Sequence, residues 1–216
     1  MRKEWAAAAL AVALLTGCAG ITTGVSAVGQ ADAFASGARG YEVIRTGAQA
    51  DDPEYRQIET LVRDALAQRG FDAQSGQDAR YRLSIAYATQ PASVAATSER
   101  CGAASSSACV SVDGPAPLAI PFAGAVYRHV LTLLFVDARS GADVYRVSAS
   151  LRDRDAGSQH AAPALVTSAL AKLPFGQGGG WLVKTKKDDA GAMPGVVSVK
   201  PGAPRGAPGG GGGGPG

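Results

Sequence analysis

The chain has 216 residues, with 29 Gly and 12 Pro, 18% charged and 6% aromatic side chains, and a formal net charge of +3. This is room for one ordinary domain with extra segments, and the composition excludes both a coiled coil and a charged disordered polymer. No apolar run reaches the roughly 18 residues of a membrane-spanning helix, which excludes a polytopic membrane protein. The charge is unevenly placed. Residues 18–175 carry 14 basic and 15 acidic side chains, net −1, whereas residues 176–216 carry five basic and two acidic, net +3. A nucleic-acid footprint needs a basic face on the folded part, and this balance gives no support for one.

The N-terminus reads as an export signal over residues 1–17. Arg2 and Lys3 are followed by an apolar run from Trp5 to Leu15, too short to span a bilayer stably. The run ends in Leu15-Thr16-Gly17-Cys18, which resembles the bacterial lipobox rather than an Ala-x-Ala cleavage site. The resemblance implies cleavage before Cys18, a diacylglycerol thioether on its sulfur and a fatty acyl chain (palmitate) on its new amino group. One acyl chain binds a membrane only marginally, and three on one residue hold a protein there in effect permanently. Residue 19 is Ala rather than Asp, which by the same resemblance favours the outer membrane, with the domain facing the periplasm.

Residues 18–40 are small, polar and aperiodic, and read as a flexible tether. Residues 41–45 form a short strand candidate. Residues 51–70 carry the clearest pattern. Asp52 can cap and Pro53 suits the first helical position, while Ile58, Leu61, Val62, Ala65 and Leu66 make one apolar stripe. Glu59 and Arg63 stand at i,i+4, and Gly70 supplies a left-handed C-terminal residue followed by apolar Phe71. Residues 81–89 alternate, with Tyr81, Leu83, Ile85 and Tyr87 on one side. Residues 126–136 are apolar on both sides and should be central in a sheet. Residues 137–141 form a turn, and 144–151 alternate again, which completes a hairpin. Residues 158–173 predict a second helix, with Ser158 as a possible cap and Leu165, Ala169, Leu170 and Leu173 as its stripe.

This order predicts an α+β domain over residues 41–175, with a long loop at 90–125. Its architecture would be a two-layer sandwich: a mostly antiparallel sheet with two helices on one face. Residues 176–216 read as a Gly/Pro-rich tail, mostly disordered, with an edge strand over 181–185 as the open alternative.

Residues 53–173 resemble the bacterial lipoprotein family catalogued as domain of unknown function 4136. The likeness lies in a helix ending "DALAQRGF", a strand "ARYRLSIAY", a hairpin "TLLFVDARSGADVYR" and a closing helix ending "LAKLP". Members commonly carry a lipobox, and often Trp where this chain has Tyr145. The resemblance brings no catalytic residues.

Candidate chemistry is sparse. Cys101 and Cys109 flank a Gly/Ala/Ser segment. In an oxidising periplasm such a pair is expected to form a disulfide, closing a small loop for about 2.5 kcal/mol on the chain-entropy model. The alternative, a redox or metal pair, lacks C-x-x-C spacing and a nearby His. His129 sits on the face of Leu131 and Leu133 and reads as a packed or rim histidine, and His160 in the first helical turn reads as solvated. The two do not make a zinc site. No G-x-S-x-G elbow, H-E-x-x-H or P-loop is present. No metal, cofactor, catalytic residue or small-molecule substrate is therefore assigned. The expected function is a non-enzymatic envelope lipoprotein that binds another envelope protein or polymer, with the membrane reached through Cys18. The alternatives are a periplasmic enzyme with an unrecognised site, or a tether whose basic tail contacts anionic envelope polymers.

Overall fold

Strand alternation dictates the centre of the molecule. The computed structural model describes residues 20–29, 32–35, 37, 39–74, 79–95, 113–115, 125–176, 179–187 and 193–202. Strand β4 runs Tyr81–Pro91, β7 Tyr127–Asp137 and β8 Asp143–Asp153, paired antiparallel in that order. Leu83, Ile85, Leu131, Leu133, Phe135, Val147 and Ala149 are fully buried at the expected alternate positions. The hairpin turn is held by Asp137, whose Oδ1 accepts from the backbone N–H of Arg139 and Ser140 at 3.0 and 2.9 Å. Gly141 then takes the left-handed φ of 71°.

The described fold mixes α and β, with an eight-stranded sheet and three helices. Strands β1 (Ile21–Gly29), β2 (Gly40–Ile44), β3 (Asp72–Ala73), β9 (Gly180–Lys186) and β10 (Gly195–Pro201) complete the sheet. The order is β10-β9-β1-β8-β7-β4-β2-β3, so β7 is interior as its two apolar faces predict. Only β2 pairs parallel, with β3 and β4. Strands β5 (Ser93–Ala95) and β6 (Asp113–Pro115) form a separate ribbon.

Helix α1 spans Gly47–Asp51, α2 Pro53–Ala67 and α3 Ser158–Ala169. The α2 signals act as read. Asp52 Oδ1 accepts from the Glu54 N–H at 2.8 Å, and Gly70 adopts φ 74° as the chain leaves toward buried Phe71. Glu59 does more than pair with Arg63 at 3.4 Å. Its buried carboxylate takes a bidentate fork from Arg45 Nε and Nη2, both at 2.5 Å, tying α2 to the end of β2. That hydrogen-bonded guanidinium holds the Glu59 carboxyl below its usual range against the opposing effect of burial. Helix α3 differs from expectation at its start. Its N-cap is Gly157, Ser158 lies inside the helix, and no side chain caps it.

Two readings of the chain ends are corrected. The segment 18–40 is not wholly a tether. Thr23, Val25 and Ala27 of β1 point into the core, and Phe34 sits among the rings of Phe71, Tyr81, Phe135 and Tyr145 at centroid distances of 5.2, 5.5, 5.2 and 5.5 Å. Small residues hide the alternation, because a strand paired on both edges gains its stability from the ladder as much as from apolar bulk. The segment 176–216 likewise holds two paired strands, β9 and β10. Strand β9 buries Val183 and Thr185 and is interior rather than an edge, because β10 pairs outside it. Trp181 packs at a tilt 5.8 Å from Phe175 and under Lys172 at 5.0 Å, which fastens the tail to the end of the α3 segment.

Candidate functional site

Register brings together what sequence distance separates. Thr89 of β4 stands opposite His129 of β7, and Tyr87 lies two residues before Thr89 on the same face. His129 is fully buried. Its Nε2 lies 2.8 Å from the carbonyl oxygen of Asp155, which can only accept, so Nε2 carries the proton. In the neutral ring Nδ1 then accepts from the Tyr87 hydroxyl at 2.8 Å, with Thr89 Oγ1 3.0 Å from the same nitrogen and donating to Tyr87 at 3.3 Å. Burial pushes the Tyr87 hydroxyl above its usual pKa. The chain of hydrogen bonds ends on a backbone carbonyl and links β4, β7 and the turn that launches α3. His129 is therefore a cross-brace, as a packed histidine would be. His160 is exposed in the first turn of α3, 3.6 Å from Asp155.

A second feature lies on the outward side of β1 and β8. Gly24 and Ser26 of β1, Ser148 and Ser150 of β8, Arg128 of β7 and Leu182 of β9 line a shallow cleft of 410 Å³. Thr132 and Ser148 hydroxyls share a 3.1 Å hydrogen bond beside it. Arg128 stands directly opposite Arg152. Like charges facing across a ladder repel. Neither arginine has an ion-pair partner among the described residues. The arrangement offers hydroxyls and guanidinium groups to an acidic or polar partner. This cleft was not visible in the sequence. Its one signal was the run of small residues (Ser148, Ser150) on the outward side of an otherwise apolar hairpin. Cys18, Cys101 and Cys109 lie outside the described residues, as does most of the loop at 90–125.

The family model for the domain of unknown function DUF4136 matches residues 27–175. The chain belongs to the DUF4136 family. The match runs from the last three residues of β1 through the end of the α3 segment, so it includes the β4–β7–β8 centre and both long helices. Among solved structures, the chain is similar to a PDZ domain protein from Parabacteroides distasonis, at 12% identity and TM-score 0.42, covering 85% of this chain. The chain spans 43% of the length of that protein. It is also similar to the PelC dodecamer from Paraburkholderia phytofirmans, at 18% identity and TM-score 0.38, covering 70% of this chain and 95% of that one. Both are distant likenesses. No curated protein matches the chain.

Proposed function

We propose that this DUF4136 protein is a lipid-anchored envelope lipoprotein, held at Cys18 in the outer membrane and facing the periplasm, and that it acts as a non-enzymatic binding module. In this reading the domain is a two-layer sandwich. Helices α2 and α3 cover one face of the sheet, and the opposite face meets the partner. The single core shared by both helices and the alternate strand residues supports that layering. The observation that carries the reading is the open cleft lined by Ser26, Ser148, Ser150 and Arg128. It displays hydrogen-bonding groups on a rigid sheet, whereas the buried histidine is consumed in bracing the fold.

The facing pair Arg128 and Arg152 favours a second reading, contact with an anionic envelope polymer. Capture from envelope extract separates the two. A stoichiometric protein retained in high salt and lost on Ser148→Trp supports the module. Capture abolished by moderate salt and by Arg128→Glu supports the polymer. Capture indifferent to both substitutions contradicts the site.

A further inference from the structure

Cys18 is two residues from Gly20, and extended chain rises at most about 3.6 Å per residue, so an acyl-bearing Cys18 stands within about 7 Å of the first described residue. Gly20 leads directly into β1, whose Ile21 is already paired opposite Thr185 of β9. The sheet therefore begins at the anchor with almost no spacer.

The end of the sheet that lies there is unlike the rest of the surface. Ile21, Val126, Val196 and Val197, four of the seven exposed large apolar side chains among the described residues, sit at this end. Val196 pairs with Thr185, which in turn faces Ile21, so three of the four are neighbours at one corner. On the opposite side of the same strand end stand exposed Lys184 and Lys186, followed by exposed Lys187. The Lys184 side chain lies along Gly20, where an added Cβ would come 2.9 Å from its Cε. Acidic Asp188 and Asp189 follow in sequence. The nearby Asp153 is partly occupied in accepting from the backbone N–H of Arg154. Val28, by contrast, is exposed seven residues further along β1, about 24 Å away at strand rise. The two ends of the long loop meet at the anchor end, where the Ala92 N–H donates to the Val126 carbonyl at 2.7 Å. The Gly202 N–H donates to Gly180 at 2.7 Å, six strand residues or about 20 Å from Lys186, so the chain beyond residue 202 departs from farther up the sheet.

The geometry points to a membrane-apposed corner: Ile21, Val196 and Val197 lie in the headgroup region of the bilayer that holds the acyl chains, with Lys184, Lys186 and Lys187 on lipid phosphates. This inference rests on lipidation at Cys18. Apolar side chains at the acyl boundary with Lys stems reaching back to headgroups are the pattern of interfacial contact. The domain then stands upright on the membrane, with the loop base next to the lipid and the 202 end facing away.

The full-length protein, extracted in detergent and placed in phosphatidylethanolamine–phosphatidylglycerol vesicles carrying brominated acyl chains, tests it. Tryptophan introduced by Val197→Trp should lose fluorescence about twofold or more to bromolipid. Val28→Trp and native Trp181 should lose none, and acrylamide should show the reverse order. Val196→Trp gives a second reporter if Val197→Trp disturbs the β10 bulge. A triacylated protein in which Val197→Trp and Val196→Trp are both unquenched, or in which Val28→Trp is quenched instead, overturns the corner while leaving the anchor intact. An intact mass without acyl chains on Cys18 overturns the anchor itself, and the corner with it.

Discussion

The centre of the sheet and its margin were built from different materials. Strands β4, β7 and β8 are long, β4 and β8 alternate bulky apolar residues with small or polar ones while β7 is apolar on both sides, and their buried side chains include Leu83, Ile85, Leu131, Leu133 and Phe135. Strands β1, β9 and β10 bury only Thr23, Val25, Ala27, Val183 and Thr185, with Trp181 and Val199 half-covered. The centre is specified by transfer of large side chains out of water, which any alternating pattern announces. The margin is specified by pairing. Each of its strands finds a ladder already formed by its neighbour, so small and polar residues suffice.

The largest expected effect is at the centre. Leu133→Ala, at a fully buried position, should cost about 2–5 kcal/mol in urea denaturation, as large-to-small core changes do. A loss under 1 kcal/mol would mean the hairpin does not organise the core. Glu59→Gln tests the polar tie between α2 and β2 and should cost about 2 kcal/mol, the range of hydrogen bonds to a charged group. The pH dependence sharpens this. Because the folded Glu59 carboxyl is held below its ordinary value of about 4.3, its contribution is full above that value. It is lost as pH falls through the folded pKa. Stability of the wild type should therefore drop more steeply below about pH 4 than that of Glu59→Gln, by matched urea titrations. Truncation after residue 186 removes β10 and the half-buried Val199, and should cost about 1 kcal/mol, seen as a fall in Tm. An unchanged Tm would return the last segment to the status of an unpacked tail. Gly70→Ala forces a side chain into a left-handed turn and should cost about 1 kcal/mol.

The difference between regions also explains what could be read in advance. The Asp52 cap, Pro53, the α2 stripe, Gly70, the 137–141 turn and the β7–β8 hairpin are local, and each is announced by residues within one turn or one strand. Phe34 was missed because a single aromatic in a Gly/Ala/Ser stretch carries no period, yet it fills the space between four rings. The Arg45–Glu59 fork and the Tyr87–His129–Thr89 brace join residues 14 and about 40 apart in sequence, which only register or helix placement brings within reach. The open cleft was illegible for a related reason, since Ser and Gly on an outward face look the same whether they meet water or a partner.

The central claim is that this domain is joined to the membrane through Cys18, directly at the start of its sheet. Intact mass of the detergent-extracted protein, with fractionation of Cys18→Ala alongside, tests it most directly. The account predicts a mature N-terminus at Cys18 bearing three acyl chains, and a Cys18→Ala protein that leaves the outer-membrane fraction. A Cys18→Ala protein that sediments with membranes as fully as the wild type would contradict it.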